Sequence, residues 1–291
     1  MASSEGLLAT ALRVSRPVSW INTAYPFAAA MLLTGSGVSW LLVVGTVFFL
    51  IPYNLAMYGI NDVFDYASDL KNPRKGGIEG AVLDPALHRQ LLILIAVTTV
   101  PFVVVLMVAG WPQGAAWLAV SLFAVVAYSA PVLRFKERPV LDSMTSATHF
   151  VSPAVVGVAL AGGAFTSDLV MVLVAFFLWA MAAHAFGAVQ DVVPDRQGGI
   201  ASIATALGAR FTVRLALGLW TAAGVLLVAT PWPGPLAALL VVPYLINAAP
   251  WWNVSDARSG ETNVSWRRFI ALNYGCGFAV TLILIGAASL P

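Results

Sequence analysis

A chain of 291 residues that is 60% hydrophobic and 10% charged, with a mean hydropathy of +0.87, has too little polar surface for water and reads as an integral membrane protein. A net charge of +2 gives no reason to expect a nucleic-acid partner, and the one cysteine, Cys276, excludes a disulfide framework or a cysteine metal site. A hydrocarbon layer about 30 Å thick takes about 20 apolar residues per helix. That length predicts an all-α protein with nine spans, near 17–34, 38–59, 90–110, 113–130, 147–164, 168–188, 212–230, 235–252 and 269–288, in a single domain over 1–291.

The first apolar segment follows Arg13 and Arg16, is as long as the later ones and shows no small-residue cleavage site, so it is expected to stay as the first span. With nine spans, all 15 Lys and Arg fall on one side, and of the 13 acids only Asp168 falls on the other. The positive-inside rule then predicts a cytoplasmic N-terminus and an outer C-terminus, with any chemistry at the cytoplasmic face of the cell membrane.

The second span ends in GINDVFDYASDLKNPRKGG, residues 59–77. On a continuing helix Asp62, Asp65 and Asp69 stand at i, i+3 and i+7 and share a face, with Asn61 at its edge. Three like charges there call for a cation, and oxygen donors without cysteine or clustered histidine favour a hard ion such as magnesium. The fourth span leads into YSAPVLRFKERP, and the sixth ends in Gln190, Asp191 and Asp195, a second acidic pair at i, i+4. Two facing clusters would bridge two ions to a diphosphate, with Lys71, Arg74, Lys75, Arg134, Lys136 and Arg138 near the remaining phosphate charge. The repeated pattern suggests two related four-helix halves plus a ninth helix.

Two other readings stand beside this one. The acids are solvated helix ends with a basic flank, or the chain is a carrier with intramembrane acids and internal repeats. A carrier would place its acids near mid-membrane, whereas these gather at the cytoplasmic ends.

NDVFDYASD fits NDxxDxxxD and DVVPD fits DxxxD, and in both motifs and their placement the whole chain resembles the UbiA-type membrane prenyltransferases, nine-helix proteins with a site near the cytoplasmic face. The resemblance implies that Asn61, Asp62, Asp65, Asp69, Asp191 and Asp195 hold magnesium on a prenyl diphosphate. It further implies that Lys75, Tyr128, Arg134 and Lys136 contact the diphosphate, and that Asn22 of SWINTAYP lines the cavity. Pro194 departs from the family pattern, and a proline inside DVVPD is expected to disturb the i, i+4 relation. Magnesium and basic groups would neutralise the departing diphosphate, and an electron-rich acceptor would capture the allylic cation. Tyr25, Phe27, Tyr53, Tyr58, Phe64 and Tyr66 offer aromatic faces near the first two spans.

SWINTAYPFAAAMLL, FFLIPYNLAMYGINDVFDY, NPRKGGIEG and DRQGGIASIATALG are most similar to the lycopene elongases, which add a five-carbon dimethylallyl unit to the ends of lycopene. An aromatic, quinone-precursor acceptor is the alternative within the same fold. Alkene attack leaves a tertiary cation that must lose a proton or take up water, so a base or a diphosphate oxygen is expected nearby. His184, two turns before Asp191, is the first candidate, followed by His149 and Asp142. His88 reads as a loop residue.

Overall fold

The computed structural model describes residues 6–66 and 83–289, and these form helices and connecting turns with no strand among them. In chain order the α-helices are α1 (Leu7–Val14), α2 (Ile21–Leu33), α3 (Trp40–Leu50), α4 (Pro52–Phe64), α5 (Pro85–Ala109), α6 (Gln113–Ser129) and α7 (Leu141–Leu160). They continue as α8 (Ser167–Val189), α9 (Val192–Gly198), α10 (Ile203–Leu207), α11 (Ala209–Val228), α12 (Gly234–Ala238), α13 (Val242–Ala248) and α14 (Asn263–Ser289). Among the described residues, seven stretches are long and apolar enough to cross a membrane: Trp40–Phe64, Pro85–Ala109, Leu141–Leu160, Ser167–Val189, Ala209–Val228, Gly234–Trp251 and Asp256–Ser289. The first and fourth expected spans coincide with the shorter apolar helices Ile21–Leu33 and Gln113–Ser129.

The chain divides into two compact units, residues 1–135 with 148–164, and residues 136–147 with 165–291. In the first, Phe27, Phe48, Phe49 and Tyr53 are fully buried. Their rings meet at centroid separations of 4.9–5.9 Å, the distances at which aromatic pairs add to simple burial. Phe27 lies so close to α3 that a Cβ on Gly45 would stand 2.1 Å from its ring, so only glycine fits there. The second unit has its own aromatic core, in which Trp220 stacks on Tyr244 at 5.7 Å and Trp266 on Phe269 at 5.0 Å.

The second expected span extends past residue 59 and is broken in the middle. Pro52 has no N–H to donate and starts a new helix, α4, after Ile51. In a membrane the backbone groups freed by such a break need internal partners. Asn54 Nδ2 donates to the carbonyls of Phe49 at 2.8 Å and Leu50 at 3.1 Å, and the Thr23 hydroxyl to that of Phe49 at 2.6 Å. The break is thereby fixed, and with it the position of the α4 terminus that carries Asn61, Asp62 and Asp65.

His88 lies in the first turn of α5 and not in a loop. Pro85 at the first helical position and Asp84, whose carboxylate accepts from Ala86 N at 2.9 Å, start that helix five residues earlier than the apolar pattern alone suggests.

Candidate active site

Helix α4 ends on its motif. Phe64 is its last residue, and Asp65 is the C-cap, with φ −96° and ψ −3° and its N–H donating to Asn61 O at 2.9 Å. Asp62 and Asp65 are both buried. A carboxylate out of water requires a compensating charge, and two arginines meet these acids. Arg16 Nη2 donates to Asp62 Oδ1 at 2.9 Å, while Arg134 Nη2 stands 4.0 Å from Asp65 Oδ1, the outer limit of an ion pair. Asn61 commits its amide nitrogen to Ser129 Oγ at 2.9 Å, leaving the oxygen as its remaining polar end. Asp69 and Lys75, like Lys71 and Arg74, lie outside the described residues.

The connection after α6 is strained. Val132, Arg134 and Val140 adopt left-handed backbone with φ of 77°, 38° and 74°, a conformation costly for a β-branched residue and concentrated at functional sites. Arg134 N is held to Ala130 O at 3.0 Å, so the loop sets the arginine beside Asp65. Tyr128, in the last turn of α6, meets the ring of His149 edge-on at 5.3 Å. Lys136 follows in a short 3-10 turn, half-buried. Asn22 sits exposed in the first turn of α2.

In the second unit α8 ends at Val189, and Asp191 caps the new helix α9 with φ −96° and ψ −2°. Asp195 N donates to Asp191 O at 2.9 Å, so the helical i, i+4 relation survives Pro194. The break falls before Asp191, which places Pro194 in the first turn of α9, where a helix has no internal partner for its N–H groups. Asp191 and Asp195 are half-buried. Gln190 joins Gly187 O through its amide nitrogen at 3.0 Å and receives Asn263 Nδ2 on its amide oxygen.

His184 Nδ1 is 3.0 Å from Ser143 Oγ. Asp142 is fully buried, with one oxygen accepting from Ser143 N at 2.8 Å and the other from Ile203 N at 2.7 Å, so it ties the start of α10 to α7. Of the aromatic candidates, Phe27 and Tyr53 belong to the core, the Tyr53 hydroxyl receiving Ser121 Oγ at 3.0 Å. The face of Tyr58 is covered by the Arg16 guanidinium at 4.1 Å. Arg16, Ser129 and Ser143 are the contacts that sequence reading missed; the only trace of the first is an Arg-Pro pair just ahead of the first apolar segment.

Among the described residues no three His, Cys, Asp or Glu side chains gather closely enough to hold an ion on their own. The donors present are hard oxygens: the Asp65 carboxylate and the Asn61 amide oxygen on α4, and the Asp191 and Asp195 carboxylates at α9. Each pair by itself fits magnesium, which usually takes one or two carboxylates and completes its shell with water and substrate phosphate.

The chain matches a known family model, the UbiA prenyltransferase family, over residues 23–274. The chain belongs to that family. It is a prenyltransferase and a multi-pass membrane protein. It is 51% identical over 271 residues to a lycopene elongase/hydratase from Corynebacterium glutamicum, covering 93% of this chain and 94% of that one. It is also 55% identical over 281 residues to a C(50) beta-cyclic carotenoids biosynthesis protein from Dietzia sp., covering 96% of this chain but 65% of that longer protein. Among solved structures, a UbiA homologue from Archaeoglobus fulgidus bound to DMAPP and Mg2+ shares the fold with a TM-score of 0.66 at 20% identity, covering 91% of this chain and 98% of that one.

Proposed function

We propose that this chain transfers a dimethylallyl group from dimethylallyl diphosphate to lycopene and releases diphosphate. The observation that carries this reading is the 51% identity, over nearly the full length of both chains, to a protein named lycopene elongase/hydratase. It is joined to two helix ends of the DxxxD type, at Asp65 and Asp191.

In this reading Asn61, Asp62, Asp65 and Asp69 in one motif and Asp191 and Asp195 in the other form the acidic set that gathers magnesium and donor. Magnesium, when bound, supplies Lewis-acid stabilisation of the leaving diphosphate. Arg134, held beside Asp65 by its strained loop, presents a fork of donors to phosphate oxygens, with Lys75 and Lys136 adding charge and Tyr128 a hydroxyl. Asn22 orients the donor from α2. The allylic C–O bond breaks with its electron pair passing to the diphosphate oxygen, and an alkene carbon of lycopene forms the new C–C bond. The tertiary cation that remains loses a proton or takes up water, and His184, whose Nδ1 lies 3.0 Å from Ser143 Oγ, is the base in this reading.

The protein runs as nine spans in one domain, the two shorter apolar helices included, with the N-terminus and the site at the cytoplasmic face of the cell membrane. All 15 basic residues then lie on the inner side.

The test is purified protein supplied with isotope-labelled dimethylallyl diphosphate, magnesium and lycopene in mixed micelles. Label appearing in a heavier carotenoid is the expected outcome. Label transferred to an aromatic acceptor such as hydroxybenzoate, with lycopene untouched, overturns the acceptor and keeps the transferase.

A further inference from the structure

An exposed side of the second unit carries an apolar groove with one charged end. It encloses about 790 Å³ and runs along one face of α11 between Leu178 of α8 and Trp252. That volume lies within the roughly 300–1,000 Å³ of small-molecule sites. Gly218 forms its floor, exposed in the middle of the helix, and a Cβ there would meet nothing within 4 Å. No packing neighbour therefore requires glycine at a position where it costs a helix about 1 kcal/mol relative to alanine. What the missing side chain provides is depth. Thr221 turns its hydroxyl back to Leu217 O at 2.8 Å, so that the lining along the helix presents hydrocarbon.

Arg214 closes one end. Its Nε donates to Trp252 O at 3.3 Å, its Nη2 donates to Asn253 Oδ1 at 2.9 Å, and its guanidinium lies over the Trp252 ring at 4.7 Å. All these partners are neutral, and among the described residues no carboxylate stands within ion-pair distance of Arg214. Asp256, in the segment after Trp252, is taken by Arg196 and by Ala209 N. The guanidinium is thus held in place with its charge unmatched. Arg210, exposed one turn earlier on the same helix, adds a second positive charge at that end.

The length of the groove selects among amphiphiles. At 1.5 Å per residue Leu226 stands about 18 Å along the helix from Arg214, close to the ~15 Å that one leaflet contributes to a hydrocarbon core about 30 Å thick. A five-carbon diphosphate would leave most of that length empty, and a carotenoid brings no anion to the arginine. Arginine beside an exposed tryptophan, at the head of an apolar track one leaflet long, suits an anionic headgroup at the interface with its chain below.

We propose that this groove binds one anionic phospholipid of the membrane, its phosphate on Arg214 and one acyl chain lying along α11 over Gly218. The site depends on the membrane setting of the chain and not on the transferase reaction.

The test is thermal unfolding and native mass spectrometry of delipidated, detergent-solubilised full-length protein. The protein is titrated with phosphatidylglycerol, with phosphatidylcholine of the same acyl chains, with inorganic phosphate and with lycopene. Phosphatidylglycerol is expected to bind and raise the unfolding midpoint, and phosphatidylcholine to need at least about fivefold more lipid for the same shift. Arg214→Gln removes that preference. Gly218→Leu keeps the arginine and its hydrogen bonds but fills the groove, so it leaves the lipid-free midpoint within about 2 °C and abolishes the phosphatidylglycerol shift together with one bound lipid. It decides the matter even where Arg214→Gln does not fold. Equal shifts from the two phospholipids in the wild type, or a phosphatidylglycerol shift that survives Gly218→Leu, overturns the proposal. A shift of the same size from inorganic phosphate alone makes Arg214 a free-anion contact, and one from lycopene but not phosphatidylglycerol gives the groove to a hydrocarbon; either result overturns it as well.

Discussion

The two aspartate motifs are built on the same backbone device and set in different surroundings. Asp65 and Asp191 have the same dihedral angles within a degree, φ −96° with ψ −3° and −2°, each where a membrane-crossing helix stops. That bridge conformation is sparsely populated and common among active-site residues. Around Asp65 the chain adds Asp62 and Asn61 one turn earlier, buries both acids and brings up Arg16 and Arg134. Around Asp191 the corresponding turn carries Gly187, whose missing side chain leaves room for the Trp266 ring, and the acids stay half-buried. The shared geometry teaches what the chemistry requires. The differences show what it costs to place a carboxylate inside a membrane-embedded unit, namely a dedicated cation.

Experiments that remove the shared part have the largest expected effects. Asp65→Ala and Asp191→Ala each reduce prenyl transfer by at least about 100-fold, as loss of a group that stabilises a leaving charge does. Chelation of magnesium stops turnover in both the wild type and milder variants, and added magnesium restores it. Retained turnover in Asp191→Ala would mean that the second motif is only a structural echo of the first.

Experiments that address the differences follow in size. Arg134→Gln lowers turnover by about tenfold, the loss of one charge-assisted contact to phosphate, with stability nearly kept. Breaking the buried pair with Arg16→Gln lowers unfolding free energy by about 3–5 kcal/mol, whereas Asp195→Asn, at a half-buried position, changes it by about 1 kcal/mol or less. Pro194→Ala leaves stability within about 0.5 kcal/mol, since a first-turn proline gives up no internal hydrogen bond. A large loss there would reinstate the disturbance that sequence alone suggests for DVVPD.

Much of the architecture is legible in the sequence because hydrocarbon thickness sets helix length and topology sets where charge falls. Helices α5, α8 and α11 lie along the stretches 90–110, 168–188 and 212–230 where the apolar pattern leads one to expect helices. The face shared by Asp62 and Asp65 is legible too, since it depends only on helical spacing up to the end of α4. Less legible are features made by the fold. The break at Pro52 depends on Asn54 and Thr23 supplying partners, one of them from another helix. The partner of Asp62 lies 46 residues away in the chain, and no local pattern announces it. Asp142 looks like a base by residue type, yet both of its oxygens accept backbone N–H groups. His88 passes for a loop residue because the cap that starts α5 lies ahead of the apolar run.

The most direct test of the central claim is pigment mass analysis of lycopene-producing cells expressing this protein, with Asp65→Ala as the control. Carotenoids heavier by one and two five-carbon units, with or without added water and missing in the control, are the predicted result. Unchanged lycopene, with the protein verified in the membrane and dimethylallyl diphosphate supplied, would contradict it.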